Sequence, residues 1–379
     1  MLEADRTITD RALNLRAMAR IFRERYASWA ANWVEEGLAA REGAGLLIGV
    51  SNSTLLAKAL SEAQGIPFAI ARLQPLTPSR ELPPMVLSGS RHKLPGVLSL
   101  GAHYLLFQMV WGVMRPAIND IVRPQLGLPR YPRFGPYLFQ STLHRAKVIN
   151  GFSKHVLPRP ADWPESSQVT GYWFFHQSQW RPPEALSEYL AAGAKPVYIG
   201  FGSMVSGDAT SFTETVLAAV KKSGQRAVLA SGWGGLAGEE GPQNEQIFFL
   251  RHAPHDWLFP RMSAAVHHGG AGTTAAAVRA GIPSVIVPFY GDQPFWARCL
   301  NRQGVAPPAV ERKTMTADTL ASALAATQHP VMIQKAMALG SAVRAEDGIG
   351  EAVRCLREWG LLPAATEDAT LQPLARRTA

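Results

Sequence analysis

The sequence predicts an α/β protein with two parallel, doubly wound sheets. Short apolar runs alternate with helical patterns in two separate parts of the chain, residues 45–71 and residues 195–289. This alternation is typical of β-α-β units, which build parallel sheets. A chain of 379 residues is also too long for one ordinary hydrophobic core, so we expect two domains.

The first part of the chain opens with a helical pattern over residues 1–40 and continues as a β-α-β unit. Gly45–Val50 and Gly65–Ala71 have the composition of buried strands, and Leu55–Gln64 between them is expected to be a helix. A proline-rich loop over residues 73–95 follows. Loops at the carboxyl ends of parallel strands often bind ligands, so this loop is either a binding loop or a plain connector.

A change of composition separates the two parts. Before it, a helix is predicted at residues 98–122 and strands at 137–142 and 145–149. Residues 158–183 are rich in proline and tryptophan, which indicates an interdomain linker. The predicted organisation is a first domain over 1–157, the linker over 158–183, a second domain over 184–362 and a loose tail over 363–379.

The second part repeats the alternation of strands and helices. Its predicted strands are 195–201, 226–230, 263–267 and 284–289. Its predicted helices are 183–192, 210–223, an alanine-rich segment up to residue 281, and three closing helices at 317–327, 330–344 and 349–359. This order again favours a parallel sheet.

One strand-turn-helix unit carries the clearest binding chemistry. The strand Ser263–His267 is followed by a turn with three glycines, Gly269–Gly272, and then by the alanine-rich helix. Glycines let a ligand approach the backbone, and the first N–H groups of a helix attract an anion, most naturally phosphate. Asp292 and Gln293 follow the next strand, and a carboxylate beside an amide suits sugar hydroxyls. The pattern therefore indicates a diphosphate attached to a sugar.

A dinucleotide site is the first rival interpretation. Gly270-x-Gly272-x-x-Ala275 satisfies the form G-x-G-x-x-A, with Asp292 about twenty residues further on. The acid of that fingerprint ends the next strand, whereas Asp292 lies beyond a loop and is paired with an amide. An NAD-dependent oxidoreductase is therefore disfavoured.

A metal site is the second rival. Four histidines lie close together in the sequence: His252, His255, His267 and His268. No cysteine or carboxylate cluster completes a zinc set at the usual spacing, so we expect no metal. His267, at the end of its strand, is expected to be a packed or capping residue.

Four segments of the second part resemble the donor-binding region of the UDP-glycosyltransferase family: HAPHDWLFP, HHGGAGTT, AGIPSVIVPF and GDQPFWA. They are most similar to the branch of sterol glucosyltransferases and antibiotic-pathway glycosyltransferases, and weaker similarity extends from Gly45 to Gly360. The resemblance implies the GT-B fold, with two Rossmann-like domains across a cleft. It also implies inverting transfer of a hexose, with glucose expected, from a UDP-sugar to a hydroxyl of a lipophilic acceptor such as a sterol, without a metal or other cofactor.

The resemblance also assigns donor-binding roles. The expected donor-binding residues are Ser203, His255, His268, Gly270, Ala271, Gly272, Thr273, Thr274, Asp292 and Gln293. Ser203 is expected at the donor phosphates, although it would also suit a helix cap. His268 is expected to donate to phosphate or sugar, and Asp292 with Gln293 to orient sugar hydroxyls.

Two positions depart from the plant members of the family. His252 stands where a tryptophan stacks on uracil, and Ala276 stands where a glutamate contacts ribose. The resemblance therefore leaves the nucleotide base open, with UDP as the default. Backbone groups around Ala253–His255 are candidates to hold the base.

The family's opening segment, a strand followed by a GxxGD-like loop and a helix, has no counterpart in this sequence. The first domain is therefore expected to be truncated at its N-terminus, with an exposed strand edge. The family's catalytic base belongs to that portion, so the catalytic residue stays unknown. The activity is open between a UDP-dependent hexosyltransferase and an inactive remnant that at most binds nucleotide-sugar.

Composition limits the partners and the compartment. The net charge of +9 and pI near 9.8 would suit a nucleic acid or a membrane, but the basic residues are scattered without interleaved aromatics, so no nucleic acid is expected. Two cysteines exclude a disulfide framework and fit the cytoplasm.

One uncharged segment, Leu94–Met114, is long enough to cross a membrane. Its proline, glycines, histidine and glutamine favour instead a buried or acceptor-facing helix. Peripheral contact with a membrane that contains the acceptor remains an open alternative.

Overall fold

The computed structural model describes residues 15–87, 94–138, 146–175, 179–202, 204, 209–231, 236 and 238–364. The first sheet consists of four parallel strands that neighbour one another in chain order: β1 (Leu47–Val50), β2 (Phe68–Arg72), β3 (Lys147–Asn150) and β4 (Ser167–Val169). Its helices are α1 (Leu15–Ala40), α2 (Thr54–Gln64), α3 (Gly96–Pro116) and the short α4 (Gly135–Leu138). The predicted β-α-β unit at residues 45–71 is therefore confirmed.

Two features of this half differ from the sequence-based prediction. Residues 137–142 were expected to form a strand, but α4 includes the first two of them, and residues 139–142 lie outside the described part. The predicted linker, residues 158–183, contains β4. Its Ser-Gln-Val sequence is too short and polar to show a strand pattern, yet it pairs with β3, so the connection between the sheets begins after Val169.

The second sheet has six strands, five of them parallel. They are β5 (Val197–Gly200), β6 (Ala227–Ala230), β7 (Gly241–Pro242), β8 (Ile247–Leu250), β9 (Ala264–His267) and β10 (Ser284–Ile286), in the order β10-β9-β5-β6-β8-β7. Its helices are α5 (Glu184–Ala191), α6 (Ala209–Ser223), α7 (His255–Leu258), α8 (Ala271–Ala280), α9 (Gln293–Gln303), α10 (Ala317–Ala326), α11 (Pro330–Arg344) and α12 (Gly348–Glu358). Both sheets confirm the predicted α/β class.

β10 is shorter than the predicted strand at 284–289. Its last paired residue is Ile286, and Val287 adds one more backbone hydrogen bond to His267 O at 3.0 Å. Phe289 N, the next N–H group on the side of the strand that faces β9, donates instead to Gln293 Oε1 at 2.6 Å. The chain therefore turns early and brings Asp292 to the start of α9.

The last helix returns to the first sheet. Ala352 and Leu356 on α12 pack with Ala69 and Ile149 of the first sheet in one buried cluster. The two halves also meet through aromatic side chains, because the rings of Phe152 and Trp296 lie 5.8 Å apart and both side chains are buried. The two sheets are thus joined by packed hydrophobic contacts.

The outer edge of the first sheet is β1. Ile48 and Val50 on this strand are exposed. Unpaired edge strands with apolar side chains readily pair with other strands. Among the described residues, no further strand pairs with this edge of the sheet.

Helix α3 combines a buried side with an exposed apolar side. Trp111 and Met114 are buried, whereas Val97, Leu98 and Leu105 are largely exposed. The helical segment continues through wider turns to give a run, residues 96–125, that is long and apolar enough to cross a membrane; 22% of its most apolar window is buried in the protein. One face of α3 therefore packs against the first half of the molecule, and its other face is exposed.

Candidate functional site

The turn between β9 and α8 leaves backbone N–H groups ahead of the first helical hydrogen bond. Gly270 is the N-cap residue, and the first intrahelical bond runs from Thr274 N to Gly270 O at 2.9 Å. The N–H groups of Ala271, Gly272 and Thr273 precede that bond in the chain. They carry partial positive charge, so this helix start is suited to bind phosphate.

The imidazole of His268 lies between two glycine turns. A Cβ atom at Gly270 would lie 2.4 Å from His268 Nε2, and one at Gly202 would lie 3.6 Å from His268 Cε1. His268 Nδ1 is buried and has no hydrogen-bond partner in the described part of the chain. An unpaired buried polar atom costs about 1–3 kcal/mol of stability.

The charge state of His268 follows from its surroundings. Burial lowers the pKa of His268, and the carboxylate of Asp292 acts in the opposite direction. The imidazole of His268 therefore lies within electrostatic range of the carboxylate of Asp292. A neutral imidazole beside a carboxylate can donate one hydrogen bond and accept another.

The two threonines of α8 are placed differently. The side chain of Thr274 is fully buried, and its Oγ1 has no partner among the described residues. Thr273 is only partly buried. Of the two hydroxyl groups, that of Thr273 is therefore the better placed to reach a ligand.

His255 lies at the start of α7 within an aromatic cluster. Its ring stacks on Phe259 with a centroid distance of 4.3 Å, and its Nε2 lies 3.4 Å from Tyr198 Oη. Burial, and then the neighbouring His252 and His268, lower the pKa of His255 to about 4. The predicted donor-binding histidines are thus close enough to interact electrostatically.

His267 has the capping role that the sequence predicts. It is fully buried, and Gly269 N donates a hydrogen bond of 3.0 Å to its Nδ1. Burial, followed by the charges of His268 and His255, lowers the pKa of His267 to about 3. A neutral His267 therefore fixes the turn that precedes α8.

The described ranges contain no group of three or more His, Cys, Asp or Glu side chains arranged to hold a metal ion. Among the histidines of this region, His255 contacts aromatic side chains and His267 accepts a hydrogen bond from the backbone.

Asp292 lies at the N-terminus of α9 and is held from two directions. Its Oδ2 accepts a hydrogen bond of 3.0 Å from Trp296 Nε1, one turn further along α9. The same oxygen accepts a second hydrogen bond, also 3.0 Å, from Gln74 Nε2 in the loop after β2. The carboxylate is therefore fixed jointly by both halves of the molecule.

Gln293 is buried and bound to its own loop. Its Oε1 accepts hydrogen bonds from Phe289 N at 2.6 Å and Tyr290 N at 3.1 Å, and its Nε2 lies 3.7 Å from Met204 Sδ. In this structure the amide shapes the loop that precedes Asp292. Its predicted contact with sugar hydroxyls stays a prediction.

A cavity of about 950 Å³ lies between the carboxyl ends of the first sheet and α3. This volume falls in the range of ligand pockets. Its walls are predominantly apolar and include Leu55, Ile70, Leu76, Leu100, Phe107 and Met114. The predicted acceptor loop, residues 73–95, contributes several lining residues, Gln74 among them.

The polar side chains of this cavity are tied to the protein. Asp162 Oδ1 accepts a hydrogen bond of 2.7 Å from Ser79 Oγ, and its other oxygen accepts one from Arg80 N. His103 Nε2 lies 2.9 Å from Leu82 O, and burial lowers the pKa of this histidine. These bonds occupy polar groups that would otherwise face the interior, so the cavity favours a mainly apolar guest.

The sequence and the fold of this chain resemble those of known proteins. Residues 243–353 match the family model described as the erythromycin biosynthesis protein CIII-like, C-terminal domain. The chain is 35% identical to sterol 3-beta-glucosyltransferase UGT80B1 of Arabidopsis thaliana over 299 residues, which cover 78% of this chain and 47% of that protein. It is 33% identical to a sterol 3-beta-glucosyltransferase of Aspergillus fumigatus over 345 residues, which cover 88% of this chain and 24% of the relative.

Over most of its length the chain is therefore similar to sterol 3-beta-glucosyltransferases. It spans about half the length of the plant relatives that it matches and about a quarter of the fungal relatives. The motifs quoted from its second part lie within or beside the matched family region.

Solved structures show the fold of this chain. The glycosyltransferase of kitacinnamycin superposes with a TM-score of 0.61 at 20% identity and covers 92% of this chain and 84% of its own. The spinosyn rhamnosyltransferase SpnG in complex with thymidine diphosphate superposes with a TM-score of 0.55 at 16% identity, with the same two coverages. The two Rossmann-like sheets therefore form the predicted GT-B fold.

The predicted donor-binding residues are brought together in part. His268 lies within electrostatic range of both His255 and Asp292, and its imidazole adjoins Gly270 at the start of the helix. Ser203 lies outside the described residues. Gln74 was not predicted, because its contact with Asp292 joins positions 218 residues apart that a single sequence does not relate.

Proposed function

We propose that this chain transfers a hexose, with glucose as the preferred sugar, from a UDP-sugar to a hydroxyl group of a lipophilic acceptor such as a sterol, with inversion at the anomeric carbon. The single observation that carries the proposal is the hydrogen bond between Gln74 and Asp292. Gln74 is one of the residues that line the apolar cavity, and Asp292 lies beside the helix start that is suited to bind phosphate. A lipophilic acceptor and a sugar diphosphate can therefore meet at this point.

The reaction forms one bond and breaks another. The acceptor oxygen attacks the anomeric carbon, and the bond from that carbon to the β-phosphate oxygen breaks, so UDP departs with the electron pair. The acceptor proton must pass to a base, and we assign none of the described residues to that role. The N–H groups of Ala271, Gly272 and Thr273, together with His268, are positioned to stabilise the charge on the departing diphosphate.

Donor recognition divides among the remaining residues. Asp292 orients sugar hydroxyls, because a fixed carboxylate accepts hydrogen bonds from them. Gln293 supports this role by shaping the loop, and its Nε2 is available to the sugar if Met204 moves aside. His255 and the neighbouring backbone belong to the nucleotide side, and Ser203 is assigned to the phosphates by resemblance alone.

The names of the relatives support the choice of substrates. The matched plant and fungal proteins are sterol 3-beta-glucosyltransferases, which favours glucose and a sterol. One structural neighbour was solved with thymidine diphosphate, so the nucleotide base needs a direct test. We propose UDP as the donor nucleotide, with no metal and no further cofactor.

Helix α3 supports a place for the enzyme on the cytoplasmic surface of a membrane. Val97, Leu98, Leu105 and Met109 form an exposed apolar stripe, while other residues of the same helix line the cavity. The chain carries a net charge of +9, which favours a surface with anionic lipids. A membrane-dissolved acceptor would thereby reach the cavity along α3.

The proposed activity is tested with the purified chain, radiolabelled UDP-glucose and sterols in detergent micelles, followed by extraction of the lipid phase. We expect labelled steryl glucoside, no formation from TDP-glucose at the same concentration, and no loss on addition of EDTA. Binding of UDP by calorimetry without transfer would support the remnant that only binds nucleotide-sugar. Absence of both binding and transfer would contradict the proposal.

A further inference from the structure

Gln74 occupies the point where the two halves of the candidate site touch. It follows β2, so it lies at the carboxyl end of the first sheet, and Leu76 N donates a hydrogen bond of 2.9 Å to its carbonyl oxygen. Its Nε2 donates to Asp292 Oδ2 across 3.0 Å. The contact connects the loop of the acceptor cavity with the residue proposed to orient the donor sugar.

The two side chains that donate hydrogen bonds to Asp292 differ in how firmly they are held in place. Trp296 is buried, packs on Phe152 at 5.8 Å and belongs to the same helix as Asp292, so its N–H group is a constant donor. Gln74 is half-buried and comes from the other sheet. Its bond to Asp292 exists only while the two halves keep this arrangement.

The bonds also select one oxygen of the carboxylate. Both donors use Oδ2, and Oδ1 of Asp292 has no hydrogen bond to another described group. A carboxylate held at one oxygen presents the other in a fixed direction. Preorganisation of this kind is what orients a substrate group without a further loss of entropy.

We propose that Gln74 is a positioning residue for glycosyl transfer, which orients Asp292 toward the donor sugar and links that orientation to the acceptor cavity. The inference rests on the proposed function. Gln74 acts through Asp292, and because it also lines the cavity, an acceptor that fills the cavity meets the same side chain.

The chemistry requires an amide at this position. The NH₂ group of glutamine donates to a carboxylate at any pH at which the carboxylate is charged. A glutamate at position 74 would place two carboxylates together, and like charges at this distance raise a pKa until one group takes a proton. The protonated carboxyl can then donate the missing hydrogen bond.

The test compares Gln74→Ala, Gln74→Glu and Asp292→Ala with Gln168→Ala, a control on β4 whose side-chain NH₂ group donates to Glu165 O. For each variant, calorimetry gives the affinities for UDP and for UDP-glucose, and the transfer assay gives kcat and KM. We expect Gln74→Ala to leave the UDP affinity within about twofold, and to lower the UDP-glucose affinity and kcat by about five- to tenfold, the equivalent of one typical intramolecular hydrogen bond.

Two further readouts distinguish positioning from folding. The loss in Gln74→Ala should largely disappear when Asp292→Ala is already present, since the two residues act through one contact. Activity of Gln74→Glu relative to wild type should rise as the pH is lowered from about 8 to about 6, because protonation restores the donor. The control should match wild type throughout.

The outcomes separate the two proposals. If wild type transfers glucose from UDP-glucose, but the effects of Gln74→Ala and Asp292→Ala are additive or Gln74→Ala weakens the binding of UDP and UDP-glucose equally, the positioning role is wrong and the proposed function stands. If wild type binds neither UDP nor UDP-glucose, the proposed function is wrong, and the role that rests on it is wrong with it.

Discussion

The imidazole of His268 lies so close to Gly270 that a Cβ atom at position 270 would be 2.4 Å from its Nε2. Gly270 has φ −62° and ψ 147°, a backbone conformation that any residue adopts. The glycine is therefore needed for space rather than for backbone freedom. His268 can hold its position at the helix start because residue 270 has no Cβ atom.

The first prediction uses Gly270 and its neighbour Gly272 as a matched pair. Gly270→Ala should lower the stability of the protein by about 1–3 kcal/mol, the usual cost of an overpacked site, because the imidazole must leave its place. Gly272→Ala should be neutral or slightly stabilising, since its Cβ would meet no atom within 4 Å and alanine suits a helix. Urea unfolding of both variants measures the difference.

The pair also has an internal check. In the double variant Gly270→Ala, His268→Ala the clash is removed, so the stability cost of Gly270→Ala should be smaller than in the wild-type background. Equal costs in both backgrounds would mean that the imidazole is not what excludes a side chain at position 270.

The second prediction concerns the division of labour within the donor site. Asp292→Ala should lower transfer by about 100-fold, the order of loss that a misplaced substrate gives, while the UDP affinity changes far less. Asp292→Asn, which retains an oxygen to accept from Trp296 Nε1, should keep more activity than Asp292→Ala. The measurements are kcat/KM for UDP-glucose and the calorimetric Kd for UDP. Equal losses in transfer and UDP binding would contradict the sugar-orienting role.

The sequence predicts the strand-turn-helix unit of the donor site well because its determinants are local. The strand predicted at 263–267 is observed at Ala264–His267, and the helix begins at Ala271 and ends before Gly281. Glycine positions, apolar runs and capping patterns act over a few residues, so one sequence contains them.

Contacts across the cleft could not be predicted in this way. Gln74 is an ordinary polar residue in a proline-rich loop, and only the packing of the two sheets brings it to Asp292. Gln293 was assigned to the sugar by resemblance, whereas its Oε1 is bound by Phe289 N because the chain turns early after Ile286. Both details depend on tertiary geometry that neither periodicity nor motif spacing encodes.

The third prediction is a pH dependence of stability that originates in the buried histidines. The pKa of His255 is lowered to about 4 and that of His267 to about 3, from a usual value of 6.5. Below pH 6.5 the unfolded chain therefore binds protons that the folded chain does not. The contribution of these two histidines to stability is fully present well above pH 6.5 and falls as the pH decreases toward 4, by up to about 1.4 kcal/mol per pH unit for each histidine.

The check compares wild type with His267→Asn, whose side-chain oxygen can still accept from Gly269 N but does not titrate. Between about pH 7.5 and pH 5.5, wild type should lose about 1 kcal/mol more of its unfolding free energy than this variant. Urea unfolding at the two pH values gives both quantities. The same loss in both proteins would show that His267 is not kept neutral by the fold.

The fourth prediction tests the exposed apolar stripe of α3 as a membrane contact. Leu105 and Met109 are more than half exposed, and they lie one helical turn apart on the stripe. Wild type should sediment with vesicles that contain anionic phosphatidylserine, and less with neutral phosphatidylcholine vesicles, because both apolar burial and positive charge contribute. Met109→Glu should reduce this binding severalfold, since it places a charge on the stripe.

Met337→Glu is the matched control for that experiment. Met337 is similarly exposed, at 60% compared with 51% for Met109, but it lies on α11, away from the acceptor cavity. It should bind vesicles as wild type does. Met109→Glu should also lower transfer to a sterol embedded in vesicles more than transfer to a sterol in detergent micelles, because only the first route requires docking. If both methionine variants bind vesicles equally well, α3 is not the contact, and the acceptor must reach the cavity without the stripe.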